Sequence, residues 1–278
     1  MGYESEIRAL LILLDDPDES IYLSVKNRLE EESVDALPFF SEFYNEAVNK
    51  LRYDEIEAKI IFKEIFNYLN YIKENHIEFP IEEFCFKISK VTFPFEDSSK
   101  HLDQLNQIAI KLKERLSLLD DPIEIIKKVN EYIFDELKME GNIDNYFEVE
   151  NNYITKLLER KKANPITLSL LYIFICQRLN IPVKGIGLPG HFIVSYQFNE
   201  NQIFIDTFNR GKFLTKDECR EYVIKSGYTF TENLLLPQSN IKIAERILNN
   251  LTYYFEKIEN KFKSQMCIKC IEIINQFD

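Results

Sequence analysis

A chain of 278 residues that is 45% hydrophobic can bury a sizeable core, in one large domain or two smaller ones. Its net charge of −12 argues against a nucleic-acid partner, since phosphate binding requires a basic surface. The five cysteines favour a reducing compartment, and no apolar run or opening segment predicts a membrane span or a secretory signal, so we expect a cytoplasmic protein with no membrane partner.

The first part of the chain is predicted to form amphipathic helices near residues 4–14, 18–32, 34–52 and 54–74. The acidic turn DDPDES separates the first two, and such helical pairs suggest HEAT-like stacking. No fixed repeat period recurs, so an irregular helical bundle is an equal alternative. We expect a helical lobe over residues 1–78.

Further helices are predicted near residues 81–90, 99–118, 121–138 and 151–161. After Pro182 the pattern changes to β-branched and aromatic runs, VKGIG, HFIVSYQF and QIFIDTF, separated by LPG and NEN. These runs predict short antiparallel strands. Helical spacing returns near residues 215–225, 239–258 and 260–276, with the last two segments forming a hairpin.

This order of elements predicts an α+β fold that is predominantly helical. We expect a core over residues 79–236, in which one central helix packs on a small antiparallel sheet. The helical lobe at 1–78 and a C-terminal helical hairpin at 237–278 would flank that core.

The central helix has clear start and stop signals. Asn164 is a good N-cap, Pro165 suits the first helical position, and the helix should run to about Leu179 before Asn180 takes a left-handed conformation. The N-terminus of a helix presents free N–H groups and a partial positive charge, which lower the pKa of a nearby thiol and stabilise an oxyanion. A cysteine at 165–167 would therefore be well placed for catalysis, but the sequence has none there.

His191 and Asp206 are predicted to lie on neighbouring strands of one hairpin. An imidazole held by a carboxylate is the base half of a Cys-His-Asp catalytic site. The two residues should approach across the hairpin, although a register slip of one residue would turn one of them to the opposite face. A purely structural pair, which ties the strands together, is the alternative.

The segment from Arg160 to Gly211, with NPITLSLLY, GIGLPGHFIV and IDTFNRG, resembles the SirB-type family of bacterial transglutaminase-like proteins. The preceding GNIDNYFEVENNYITKLLERKKA also resembles that family. The likeness is strong over roughly residues 80–215 and fainter in the helical flanks, where the family has helical-repeat segments. Ala163 and Asn180 stand where the family more often has glycine.

The resemblance implies a transglutaminase/papain-like core. In the enzymes of this kind, a cysteine at the start of the central helix attacks an amide carbonyl, and a histidine and an aspartate activate it. His191 and Asp206 match the latter two, but the cysteine's position falls at about Pro165, which has no nucleophilic atom. The resemblance therefore implies that the usual catalysis is lost.

Two functional hypotheses follow. The first is a catalytically silent, transglutaminase-like binding or regulatory protein whose partner is a protein or peptide, with Asn164, Pro165, Gly190 and Asn209 in its binding site. The second is an amide or ester hydrolase or acyltransferase, in which His191 and Asp206 activate a water or a hydroxyl. Thr167, in the first helical turn, is the candidate hydroxyl.

The remaining candidates favour structural roles. Cys176 and Ser169 lie on the apolar central helix and are expected to be core residues. CIKC, with Cys267 and Cys270, has the spacing of a metal half-site without a second half, so one cysteine should pack and the other be exposed. GIGLPG lies between strands, which argues against a dinucleotide loop, and its glycines are interpreted as turn formers. We expect no metal and no cofactor.

Overall fold

The computed structural model describes residues 2–277, and this part of the chain divides into two compact units. One unit contains residues 2–79, 87–96 and 255–277, and the other contains residues 80–86 and 97–254. The fold is α+β and predominantly helical, as predicted. None of the described helices is both long enough and apolar enough to cross a membrane. The predicted three-part division of the chain stays a prediction.

The first unit is helical. Its helices are α1 (Tyr3–Leu13), α2 (Glu19–Glu30), α3 (Leu37–Tyr44), α4 (Lys50–Glu74) and α12 (Lys261–Ile274), with a 3₁₀ turn at Val34–Ala36 before α3. α4 packs against α2, α3 and α12. It buries a row of apolar side chains at three- and four-residue spacing, which includes Ile61, Ile65, Leu69 and Ile72. One helix face therefore supplies much of the core of this unit.

The predicted helix over 34–52 is wrong in its extent, because α3 ends at Tyr44 and α4 begins only at Lys50. The two oxygens of the Asp15 carboxylate accept hydrogen bonds from the N–H groups of Val48 and Asn49, at 2.9 and 3.0 Å. These bonds fix a turn and supply acceptors for N–H groups at the start of α4. The break depends on a residue more than 30 positions away, so local spacing could not reveal it.

The rest of the chain forms helices and short strands in alternation. In order these are α5 (Ile81–Ser89), α6 (Ser98–Leu116), α7 (Pro122–Asn130), a π-helical segment (Glu131–Glu136), β1 (Glu140–Gly141), a 3₁₀ turn (Val149–Asn152), α8 (Ile154–Arg160), β2 (Lys162–Ala163), α9 (Pro165–Arg178), β3 (Val183–Leu188), β4 (His191–Phe198), β5 (Asn201–Asp206), β6 (Lys212–Leu214), α10 (Lys216–Lys225), a 3₁₀ turn (Glu232–Leu235) and α11 (Asn240–Lys257). The predicted helix over 121–138 is thus α7 followed by the π-helical segment.

α9 is the central helix of the second unit. Every residue from Pro165 to Cys176 is buried, and the helix packs on β3 and β4. Those strands belong to an antiparallel sheet in the order β3-β4-β5-β6, and β1 pairs with β2 in parallel. A helix that is apolar on all sides can be stable only when other elements surround it. The apolar pattern of α9 therefore explains its place at the centre of this unit.

The β3–β4 turn needs glycine at one position. Leu188 pairs with His191, so Pro189 and Gly190 form a two-residue turn, and Gly190 has a φ of +72°. The other glycines of GIGLPG are not turn formers, which corrects that prediction. Gly187 lies within β3, where a Cβ atom would meet the side chain of Gln238 at 2.3 Å, so this glycine admits a neighbouring side chain.

Candidate active site

The start of α9 is organised by its N-cap. The Asn164 side chain accepts a hydrogen bond from the N–H of Thr167 at 3.0 Å, and Pro165 occupies the first helical position. Pro165 has no N–H, and the N–H of Thr167 is already bonded to Asn164. The N–H of Ile166 is therefore left without an acceptor among the described residues.

The structure brings His191 and Asp206 into direct contact. Val194 pairs with Ile205, so Asp206 lies opposite Ile193, two residues from His191 and on the same face of the sheet. The distance between His191 Nε2 and Asp206 Oδ2 is 2.9 Å. The two residues are diagonal neighbours across the hairpin, and the two-residue offset preserves the shared face.

Asp206 is completely buried and accepts hydrogen bonds from five donors. These are His191 Nε2, the backbone N–H groups of Phe208 and Asn209, the Asn209 side-chain amide and the Tyr222 hydroxyl, at 2.7 to 3.1 Å. Burial by itself raises the pKa of the carboxyl, but the bonds from His191 and Asn209 outweigh it and hold the pKa of Asp206 below its usual value. Asp206 is therefore a buried, ionised acceptor.

This contact fixes the tautomer of a neutral His191. An ionised carboxylate only accepts hydrogen bonds, so Nε2 of His191 carries the proton and Nδ1 carries the lone pair. Nδ1 makes no hydrogen bond to any residue that the structure describes, and 11% of the His191 side chain is exposed. The hydrogen bond from Nε2 to Asp206 thus fixes the ring, and Nδ1 remains free to accept a proton. This is the arrangement of a general base.

Tyr222 of α10 completes this cluster and was missed from the sequence. Its ring stacks on the imidazole of His191, with ring centres 5.0 Å apart and an angle of 29° between the planes. Its hydroxyl donates to Asp206 Oδ2 at 3.1 Å. Burial, together with the neighbouring Asp206 charge, raises the pKa of Tyr222 to about 12. Nothing in the local pattern of α10 links Tyr222 to a histidine 31 positions earlier.

The Tyr222→Phe variant is expected to lower the free energy of unfolding by about 1–2 kcal/mol, because it removes one donor to a buried carboxylate and keeps the stacked ring. Equilibrium denaturation in urea measures this difference. Tyr228→Phe is the matched control, since the Tyr228 side chain is 61% exposed. Equal stability of the two variants would show that the Tyr222 hydroxyl contributes nothing.

A cleft of about 330 Å³ lies between His191 and the start of α9. Its lining residues come from the α9 N-terminus, the β3–β4 turn, α11 and the loop before α8: Tyr146, Asn164, Pro165, Ile166, Gly190, His191, Phe192, Arg246, Asn249 and Asn250. The space that a nucleophile and its substrate would need is therefore present.

The predicted site residues fall into three groups by location. Pro165, Asn164, Gly190 and His191 line the cleft. Asp206 and Asn209 lie behind His191, where the Asn209 amide donates to the Asp206 carboxylate at 2.7 Å. Thr167 is 2% exposed and is not one of the cleft-lining residues. The functional roles of all seven stay predictions.

Three polar residues of α11 in the cleft wall were missed. Arg246, Asn249 and Asn250 follow helical spacing, so the sequence alone indicates only a polar helix face. Nη2 of Arg246 donates to the backbone carbonyls of Leu188 and His191, at 3.0 and 2.9 Å. Arg246 thereby ties α11 to the β3–β4 turn beside the histidine.

A second groove, of about 440 Å³, begins at Tyr146. Tyr146 lines both spaces, and its ring lies 5.2 Å from that of Phe147 and 5.9 Å from that of Phe208, edge to face in both cases. Asp144 and Tyr254 are among the other residues of the second groove. The two grooves therefore share the Tyr146 side chain.

The other candidate nucleophiles are buried. All five cysteines are free and buried, and burial raises the pKa of the Cys176 thiol. Ser169 is fully buried, and its hydroxyl bonds that of Thr207 at 2.8 Å. Cys267 and Cys270 are both 0% exposed, so the prediction that one is exposed is wrong. Residues three apart on a helix share a face, and this face of α12 is covered.

Comparison with known proteins gives a family match. Residues 99–249 match a family model described as "Transglutaminase-like superfamily", and this range includes α9, the sheet and the cleft. No solved structure matched the chain.

Curated relatives match over the same part of the chain. A UPF0162 protein from Xylella fastidiosa is 39% identical over 130 residues, which are 44% of this chain and 46% of that protein. F-box only protein 21 from Mus musculus is 32% identical over 136 residues, 46% of this chain and 21% of that protein. A UPF0162 protein from Vibrio cholerae is 26% identical over 92 residues, 33% of this chain and 34% of that protein. The chain thus spans less than half the length of these relatives.

Proposed function

The chain belongs to the transglutaminase-like superfamily, and from this premise we propose that it is a catalytically silent member that binds a protein or peptide segment in the cleft beside His191. One observation supports the proposal above all others. Pro165, which has no nucleophilic atom, lines the same cleft as the imidazole that would activate a nucleophile. A binding or regulatory role is what such a site retains.

The chemistry of the cleft wall suits a peptide. Asn164, Asn249 and Asn250 carry side-chain amides, which donate to and accept from peptide groups, and Tyr146 offers an aromatic surface. The motifs between Arg160 and Gly211 support a finer assignment to the SirB-type branch. The five free thiols support a cytoplasmic location.

The first experiment tests catalytic silence. Amine incorporation into casein and release of ammonia from a glutamine-containing dipeptide are expected to stay at the level of buffer, because none of the described residues that line the cleft carries a thiol. Turnover that disappears in His191→Ala would overturn the proposal. His76→Asn is the matched control, because His76 is exposed and its φ of 50° suits asparagine.

The second experiment tests binding. Peptides selected from a synthetic library on the pure protein are expected to lose affinity for Asn250→Trp, since this exposed residue lines the cleft and a large ring there would fill it. They should bind His76→Asn as they bind the parent. Selected peptides that bind Asn250→Trp unchanged would place their site elsewhere on the protein.

A hydrolase is the second candidate, and the free Nδ1 of His191 favours it. A water in the cleft that gives its proton to Nδ1 would be a nucleophile for an amide or ester carbonyl. Hydrolysis that is lost in both His191→Ala and Asp206→Asn, and retained in His76→Asn, would support this candidate. The same activities in Thr167→Ala and its parent would exclude the Thr167 hydroxyl as the nucleophile.

A further inference from the structure

Arg246 is held beside the cleft by neutral groups. One of its nitrogens, Nη2, donates to the carbonyls of Leu188 and His191, and its guanidinium lies 5.5 Å from the centre of the Phe192 ring. The N–H groups of Nε and Nη1 have no acceptor among the described residues. Arg246 is partly buried, so its position is fixed while three of its donors are unused.

Arg246 differs from the protein's other arginines in its ion pairing. The chain has nine arginines, and each of the other eight lies no further than 3.9 Å from a carboxylate oxygen. Arg246 has no such partner among residues 2–277, although the chain carries 46 acidic residues. A partly buried cation without a counter-ion is unfavourable, and burial correspondingly lowers the pKa of Arg246.

None of the described residues that line the cleft is acidic. Of its lining residues, Arg246 is the one that is always charged, and the neighbouring Asn249 and Asn250 add amide donors. Ile166, at the helix start, lines the same space. In a protein of net charge −12, this cleft therefore presents a local positive charge surrounded by donors.

We propose that Arg246 determines the specificity of the cleft by binding a carboxylate of the peptide ligand. A single guanidinium balances the single charge of a carboxylate, whereas phosphorylated motifs are bound by clusters of arginines. The carboxylate is either the C-terminus of a chain or an aspartate or glutamate side chain. This inference rests on the proposed function only in taking the ligand to be a peptide.

The test uses small probes and the full chain. N-acetyl-glycyl-glycine carries a terminal carboxylate, its C-terminal amide carries none, and the α-amide of N-acetyl-glutamate carries only a side-chain carboxylate. Binding is followed by NMR through the Nε–Hε signal of Arg246, which is identified by its absence in Arg246→Lys. The terminal acid, the side-chain acid or both should bind roughly ten- to hundredfold more tightly than the amide, as expected for a charge-assisted hydrogen bond.

Variants separate recognition from folding. Arg246→Gln should abolish the preference for acid over amide. Because this change also affects two bonds to the β3–β4 turn, Asn250→Glu serves as a second variant at an exposed position of the cleft wall. The introduced carboxylate should weaken binding of the acid probes at least tenfold. Asn233→Glu, the same change at an exposed position that does not line the cleft, should not.

The outcomes distinguish this inference from the proposed function. Equal binding of acid and amide, or no binding of any acid probe at millimolar concentration, overturns the role of Arg246. Library peptides that still occupy the cleft would then leave the proposed function standing. Catalytic turnover would overturn the silent-binder proposal without affecting a measured preference for acids.

Discussion

Replacing Asp206 with alanine is expected to lower the free energy of unfolding by about 3–5 kcal/mol, because it leaves several buried donors without their acceptor. The variant would leave His191 Nε2, the Tyr222 hydroxyl, the Asn209 amide and two backbone N–H groups without their common acceptor. Equilibrium denaturation in urea, monitored by circular dichroism, measures the loss. Asp217→Ala is the matched control, since the Asp217 side chain is 87% exposed.

The pH dependence of stability distinguishes the contribution of the Asp206 charge to stability from the contribution of the side chain's shape. Because the folded-state pKa of Asp206 is held below its unfolded value of about 3.9, its ionisation stabilises the fold fully above that pH. The stabilisation is lost as the pH falls through the folded-state pKa. The difference in stability between the parent and Asp206→Asn should therefore shrink below about pH 4. A difference that is constant from neutral to acidic pH would contradict this account.

Introducing a thiol at the helix start should create a reactive nucleophile. In Pro165→Cys, the pH midpoint of alkylation by iodoacetamide is expected to fall to roughly 3.5–7.5, compared with about 8.5 for an ordinary thiol. The partial charge of the α9 N-terminus and the free Nδ1 of His191 both favour the thiolate. The five native cysteines are buried, so they contribute little background to the labelling.

Two controls identify the source of that activation. Adding His191→Ala to Pro165→Cys should raise the midpoint by at least about one unit, since the ion-pair partner is removed. Lys216→Cys places a thiol at the first position of α10, an exposed helix start without a histidine on the same helix. The pH midpoint of Pro165→Cys could equal that of Lys216→Cys and stay the same when His191→Ala is added. That result would show that the cleft is not arranged as a catalytic site.

Together these variants separate the three interpretations of His191 and Asp206. A structural pair predicts a stability loss in Asp206→Ala and no effect of His191 on the thiol. A silent binding site predicts an activated thiol in Pro165→Cys and no turnover in the parent. A hydrolase predicts turnover in the parent that requires both residues.

The elements near the site followed from local chemistry. Asn164 and Pro165 specify a helix start through capping and a preset φ, and Asn180 allows the left-handed conformation that ends it, with a φ of 57°. The strand runs and the NEN turn likewise predicted a hairpin that bears His191 and Asp206. These signals lie within a few residues of their effects, so a single sequence suffices to detect them.

Other features were not visible because their causes are distant in the chain. Asp15 fixes the break between α3 and α4, Tyr222 completes the histidine pair, and Arg246 reaches the β3–β4 turn from α11. Each contact joins residues 16 to 58 positions apart. Local periodicity carries no information on such pairs, since it reports only which face of an element is buried.

The sequence by itself determined that this protein has a buried central helix with a proline at its start, and that a histidine and an aspartate share the following hairpin. Only the tertiary structure decided that the hairpin register places their side chains in contact and that a cleft separates them from the helix start. The same packing left one arginine in that cleft without an acidic partner among the described residues. Strand register and side-chain contacts depend on how elements distant in the chain pack together. The free energy of that packing is a property of the whole fold and not of a local segment.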